Sequence, residues 1–289
     1  MNQTLIVTDS ASDVPAELEA RYGIRILPFS IVVDGKSYVE RKDFTPAEFY
    51  QMMLSAHDLP THAQITPMEF VEVYRQAEED GYQSVIYISI NSHGSGTFNS
   101  ARLAIDTYKE ENPESKLQVY CVDSLSYTLG YGYMAVEAAK KAEKGTPAPE
   151  IVQYCEDWAK KSTIYFTPFT LEYVRKSGRV SCAAAFVGGL MGLKPLITWE
   201  NGDSKTLQKL RGEKAVIPAL VQMATANMVP KTDYCIVSGL RPEVAEQLAA
   251  EMEKAVGYPP ALMSPASPVI AINAGPDLVA VCIRDRNKC

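Results

Sequence analysis

The chain has 289 residues, 46% of them apolar and 22% charged, with a formal net charge of −7. This is the balance of an ordinary globular protein with room for two medium domains or one large one. The acidity, and the lack of any Lys/Arg block, argue against a nucleic-acid binder working by broad phosphate neutralisation.

The opening MNQTLIVTDS has neither the basic start nor the long apolar core of a signal peptide. Nowhere do roughly eighteen consecutive apolar residues occur, so no membrane span is expected. Six cysteines are scattered without a CxxC pair, which reads as buried thiols in a reducing compartment rather than a disulfide frame or zinc site. A cytoplasmic location follows as an expectation.

In chain order, TLIVTDS predicts a first buried strand, and Asp13 a cap for a helix through ELEARY that stops at Gly23. IRILPFSIVV predicts a second extended run, turned at Asp34-Gly35 into the hairpin arm KSYV. Thr45-Pro46-Ala47-Glu48 and Thr66-Pro67-Met68-Glu69 are capping boxes with proline at the first helical position. The segment between the two helices they start, LPTHAQITP, reads as a loop. SVIYISI, LQVYCVDS and STIYFTP predict further strands with helices between them. This alternation favours a mostly parallel sheet flanked by helices, with ligand loops at the carboxyl ends of its strands.

Beyond residue 160 the pattern changes to α+β. Two extended arms flank Asn201-Gly202, a strong hairpin signal. A helix over EKAVIPALVQMATANM, a strand over YCIVSG and a helix over PEVAEQLAAEMEKA follow, then two strands over PVIAIN and DLVAVCI. The expected division is an N-terminal α/β domain over 1–160 and a C-terminal α+β domain with antiparallel strands over 161–289.

The most chemically suggestive stretch is ISINSHGSGTFNSARLAI, where an apolar strand ends in Asn91-Ser92-His93-Gly94-Ser95-Gly96-Thr97. A nucleophile elbow needs glycine two before and two after its serine, which neither Ser92 nor Ser95 has. The spacing is also neither GxxxxGK[ST] nor GxGxxG. Gly94 and Gly96 let the backbone bend, and a helix starts near Thr97. Free amides at such a start favour a small anion, with the Ser92 and Ser95 hydroxyls as added donors; the same hydroxyls also serve as simple helix caps. The three histidines, His57, His62 and His93, have no metal-binding spacing, and no metal or other cofactor is expected. Asp9 and Asp123 end strands ahead of serines, where side-chain turns account for them. Arg175-Lys176-Ser177-Gly178-Arg179 closes a helix. The small-residue apolar segment from 183 to 193 reads either as helix packing or as the lining of a slender channel.

Several segments in series resemble the DegV family, bacterial proteins that bind a long-chain fatty acid: TDSASDVP, PFSIVVDGKSYVERKDFTPAEFY, PTHAQITP, INSHGSGTFNSA, LEYVRKSGRVS and LKPLITWENGDSKTLQKLRGEKA. The resemblance runs in order over nearly the whole chain. It implies a two-domain DegV-like α/β fold with a lipid tunnel, and a carrier that presents its fatty acid to a separate kinase subunit and has no active site of its own. By motif position it implies a carboxylate site of Thr61 and Ser92, joined by His62, Arg179 and Asn273, on a loop supported by Gly94, Ser95, Gly96 and Thr97.

The chain departs from the family pattern at His62 (commonly Ser), Asn91 (Ser) and Gly94 (Leu). In IAINAGPD, Asn273 replaces a His and Asp277 a Gly. An asparagine donates hydrogen bonds but never becomes cationic, so His62 or His93 is the candidate to supply the missing imidazole. The alternative reading is a small-molecule hydrolase or transferase using Ser92 or Ser95 in an inter-domain cleft.

Overall fold

The computed structural model describes residues 3–182, 192–200 and 202–288. β1 (Thr4–Asp9) leads through one 3₁₀ turn into α1 (Ala16–Tyr22), then β2 (Arg25–Leu27) and the hairpin of β3 (Ser30–Val33) and β4 (Lys36–Val39). Next come α2 (Pro46–Ser55), β5 (Thr61–Ala63), α3 (Pro67–Glu79), β6 (Ser84–Ser89), α4 (Thr97–Glu111), β7 (Gln118–Asp123), α5 (Leu129–Glu143) and α6 (Ala148–Lys161). The later elements are β8 (Ser162–Pro168), α7 (Glu172–Ser177), β9 (Leu193–Glu200), β10 (Asp203–Arg211), α8 (Val216–Asn227), β11 (Cys235–Ser238), α9 (Pro242–Val256), β12 (Leu262–Pro265), α10 (Pro268–Ala274) and β13 (Leu278–Arg284).

Three sheets result. A parallel sheet runs β2-β1-β6-β7, a mixed six-stranded sheet runs β10-β9-β8-β13-β11-β12, and a small antiparallel sheet runs β4-β3-β5. The α/β class, the parallel first sheet and the antiparallel character of the later strands are as expected. The first hairpin forms where its turn pair stands, Asp34 and Gly35 taking φ 47 and 80 between Val33 and Lys36 as a primed two-residue turn requires, and β9 and β10 pair antiparallel from Glu200 and Asp203 onward. Both capping boxes are complete, with the Thr45 hydroxyl accepting from the Glu48 amide and the Glu48 carboxylate accepting from the Thr45 amide at 2.7 Å.

The mixed sheet separates two cores by the period-2 alternation of its strands. In β8, Ile164 and Phe166 face the core shared with the N-terminal layers, while Tyr165 faces the core under α8 and α9. In β13, Leu278, Ala280 and Cys282 face the first core, and Val279, Val281 and Ile283 the second. One face of this sheet therefore looks toward the loops at the carboxyl ends of the parallel strands.

Four expectations are corrected. IRILPFSIVV is two strands in different sheets, because Pro28 has no amide to continue a ladder. The THA of the expected loop is strand β5, recruited by pairing with β3. PVIAIN is not a strand but lies within α10. Ser267 is extended at the helix start and Pro268 fixes the first helical φ, while burial of 268–272 on every side erases the helical period that would have marked it. Asp13 does not cap α1, whose N-cap is Pro15. It sits at φ 56 and its carboxylate accepts the Ser267 amide at 2.8 Å, tying the first strand's loop to α10.

Candidate functional site

The carboxyl ends of β1, β6 and β7 meet in a fixed polar frame. The buried Asp9 carboxylate accepts from the Tyr87 hydroxyl (2.9 Å), the Tyr131 hydroxyl (2.5 Å) and the Ile90 amide (3.0 Å). Burial still holds its pKa above the ordinary value, these hydrogen bonds pulling the other way. Asp123 accepts from the amides of Leu125 and Ser92, both at 3.1 Å, so the second of these fixes the start of the loop of interest. Asp123 forms the side-chain turn expected of it, and Asp9, which likewise accepts from the amide two residues on, at Ala11, is in addition a bracket between strands.

The loop from Asn91 to Gly96 then passes close under its neighbours. The Asn91 side-chain amide donates to the Tyr127 hydroxyl and to the Gly202 carbonyl, each at 3.2 Å, which docks the β9–β10 hairpin turn on the loop. A methyl at Gly94 would stand 2.3 Å from the Tyr127 hydroxyl. The Tyr127 ring is held against Trp199 with centroids 4.4 Å apart, so it has little room to yield. Gly94→Ala should therefore destabilise the protein by about 1–3 kcal/mol, read as a shifted denaturation midpoint. Gly96→Ala should cost less, because its methyl would meet the end of the flexible Gln64 side chain.

Under this loop lies an apolar slot of ≈ 60 Å³. One wall is aromatic: Tyr127, Trp199 and Phe166, the last two stacked at 5.9 Å with planes 12° apart. The sheet contributes Ile164, Leu278 and Ala280, and α10 contributes Val269, Ile270 and Ala274. At the polar end, Asn273 of α10 meets His62 of β5.

The hydrogen bonds there assign the tautomer. The Asn273 amide nitrogen donates to the Val269 carbonyl at 2.7 Å, which can only accept, and its other proton points to His62 Nε2 at 2.9 Å. Nε2 is thus the acceptor and Nδ1 carries the proton. That Nδ1 is buried and has no protein partner. Burial, and then the positive charge of Arg179, hold the imidazole pKa below its ordinary value, so the ring is neutral at pH 7. Arg179 is exposed and also lines the slot.

The residues expected from sequence are thus divided. His62, Gly94, Ser95, Arg179 and Asn273 line one cavity. Thr61 does not: it is exposed, and alternation along β5 turns it to the face opposite His62. Ser92 is half-buried and also outside the lining; Gly96 precedes and Thr97 begins α4 behind the slot. The Ser95 hydroxyl is 2.9 Å from that of Thr97 and accepts the Thr97 amide. Among the described residues no imidazole bonds to Ser92 or Ser95. The segment 183–191, the core of the small-residue run, lies outside the described residues. Sequence reading missed Tyr127, Trp199 and Phe166. The alternation of STIYFTP put Ile164 and Phe166 on one face, but nothing local said which face met the loop.

A family model described as "Uncharacterised protein, DegV family" matches residues 3–286. The chain belongs to the DegV family. A DegV domain-containing protein of Caldanaerobacter subterraneus is 30% identical over 99% of this chain and 100% of its own. Among solved structures, a DegV family protein of Thermus thermophilus, described by its fatty acid binding, superposes with a TM-score of 0.83 at 29% identity, over 96% of this chain and 98% of its own. DegV of Bacillus subtilis, described as a fatty acid binding protein, superposes with a TM-score of 0.84 at 26% identity, over 96% and 98%. Among the described residues of this DegV family member, no helix is long and apolar enough to cross a membrane.

Proposed function

We propose that the chain binds a long-chain fatty acid, its tail along the apolar slot and its carboxylate at the His62–Asn273 end. The observation carrying this is the buried, partnerless Nδ1–H of His62 at the polar end of an otherwise apolar slot. A carboxylate cannot be buried without donors, and an imidazole N–H held in place by Asn273 is one. Arg179 adds positive charge, and the Ser95 hydroxyl is within the same lining. Thr61 and Ser92, implied by the family motifs, stay outside this head-group set; Gly94, Gly96 and Thr97 shape the loop around it. Ligand pockets usually hold roughly 300–1,000 Å³, so the slot of ≈ 60 Å³ must widen as its side chains part around an acyl chain. Burying a methylene is worth about 0.8 kcal/mol, which over a long tail offsets that rearrangement.

In this reading the protein is a carrier without an active site. It offers the carboxylate, near the exposed Arg179, to a partner kinase that makes the acyl phosphate. The slot then lies across the division at residues 160 and 161, with β5 and the Asn91–Gly96 loop on one side and β8, β9, α10 and β13 on the other.

Mass spectrometry of lipid extracted from the purified protein is expected to find acyl chains. Repeated absence of them, together with no binding of added palmitate or oleate, would sink the proposal. His62→Ala is expected to weaken palmitate binding about tenfold or more, since a hydrogen bond to a charged group contributes about 1.5–3 kcal/mol. Equal affinity of the two proteins would remove His62 from the site.

A further inference from the structure

Thr128, the buried N-cap of α5, holds φ 52 and ψ −143. The Gly130 amide donates to the Tyr127 carbonyl at 3.0 Å, so Tyr127 to Gly130 form a four-residue turn with Thr128 at its first central position. A positive φ with a strongly negative ψ at that position suits glycine. For a β-branched residue it is a costly outlier.

Both flanks of this turn are fixed. Upstream, the Ser126 carbonyl accepts the Asn91 amide at 3.0 Å. Downstream, the Thr128 carbonyl accepts the amides of Tyr131 and Gly132 at 3.2 and 3.0 Å, and the Trp158 indole donates to the Gly130 carbonyl at 3.0 Å. Gly132 presses on the Ser12 carbonyl, which a methyl there would meet at 1.9 Å. The chain must bend between these anchors within two residues, and Thr128 takes the strain. Its side chain does little to offset it, since among the described residues the hydroxyl reaches only the Cys282 sulfur, at 4.0 Å.

Strain of this kind clusters at ligand clamps and switch segments. Here Tyr127 and Thr128 both line the slot. The opposing walls are set in regular elements: Ile164 and Phe166 on β8, Trp199 on β9, Leu278 and Ala280 on β13. The remaining wall, α10, is fastened at its start by Asp13 and at its end by His62. Tyr127 instead stands in the irregular connection between β7 and α5, held by its ring contact with Trp199 and by the bond from the Asn91 amide. We propose that Thr128 is a strained hinge that opens the slot: an entering acyl chain displaces the Tyr127 ring outward, and Thr128 relaxes to a negative φ as it goes. The inference rests on the fatty-acid reading above. A ligand shifts a conformation only through a difference in free energy between the two states. Relief of the hinge supplies part of that difference and offsets the loss of the Trp199 and Asn91 contacts, so the strain of the empty protein contributes to affinity.

Thermal melting and palmitate titration of the full chain test this on three proteins: the unmodified one, Thr128→Gly and Thr128→Ala. Both substitutions delete the hydroxyl and the methyl from the slot lining, but only glycine removes the strain, because the alanine Cβ still disfavours a positive φ. Thr128→Gly is expected to melt a few degrees higher, the relief exceeding the extra freedom it gives the unfolded chain. It should also bind palmitate about tenfold or more weakly, since the empty form is no longer strained. Thr128→Ala should bind close to as tightly as the unmodified protein. A Thr128→Gly protein that melts lower, or fails to fold, would show that the turn stores no strain. Higher melting with unchanged affinity would show that the ligand does not use it, and equal weakening in both variants would reduce Thr128 to a wall contact. Each of these overturns the hinge while leaving the fatty-acid reading in place. Absence of palmitate binding by the unmodified protein would instead sink that reading, and the hinge with it.

Discussion

Replacing Ala274 with phenylalanine is expected to remove measurable palmitate binding while leaving the protein folded. Ala274 is half-buried on the last turn of α10 and lines the slot beside Asn273. A benzyl group projecting from that position would occupy the ≈ 60 Å³ that an acyl chain must first enter and then enlarge. The neighbouring walls cannot compensate easily, since Phe166, Trp199 and Tyr127 already pack on one another. Losing only a few methylenes of burial at about 0.8 kcal/mol each gives a hundredfold or weaker affinity. Because the residue is not fully buried, the thermal midpoint should move by only a few degrees. Displacement of a fluorescent fatty acid, read beside circular dichroism, checks both halves. Unchanged affinity would mean that the tail runs elsewhere.

The second large effect concerns pH and Glu40. Burial, followed in the same direction by the negative charge of Asp9, raises its pKa from an ordinary 4.5 to about 8, against the opposing pull of the Ser10 hydroxyl and Arg41. Between those two values the folded chain keeps a proton that the unfolded chain has lost. The contribution is thus complete below pH 4.5 and is lost as pH rises through 8. A difference of this size corresponds to on the order of 3–5 kcal/mol. The unmodified protein should therefore lose thermal stability from pH 5 to pH 8, and Glu40→Gln, which mimics the protonated form, should flatten that decline. Asp13 and Asp9 are shifted in the same direction and leave a residual slope. Superimposable melting curves of the two proteins across this range would show that Glu40 is ionised throughout.

Local chemistry was legible where it was decided locally. Thr45 and Thr66 with their glutamates, the Asp34-Gly35 turn, and the alternation of strands with helices all fix their own neighbourhood within a few residues. What escaped depended on distant partners. PVIAIN looks like a strand because its first five residues are apolar and buried, and only the far-off Asp13 carboxylate and the segment's own leading proline, Pro268, tell the chain to coil. Asp13 itself sits beside a helix start that it does not cap, since its acceptor is spent on residue 267.

The site divides in the same way. The family motifs led to His62, Arg179 and Asn273, which the fold brings to one cavity. The choice between Thr61 and His62 rests on the parity of a three-residue strand whose existence is owed to pairing with β3. The aromatic wall is invisible locally because Tyr127 and Trp199 are remote in sequence and meet only when the hairpin turn settles on Asn91.

The anchoring of α10 carries a consequence for how such chains can be recombined. The helix is encoded near the C-terminal end, yet it is fastened at its start to Asp13, and the Tyr50 hydroxyl holds the residue just ahead of it. Its other end supplies Asn273 to His62, again across the chain. A chimera joined at residue 160 would inherit bolts from one parent and sockets from the other. Exchange between relatives therefore succeeds only when residues 13, 50 and 62 travel together with the segment from 266 to 274.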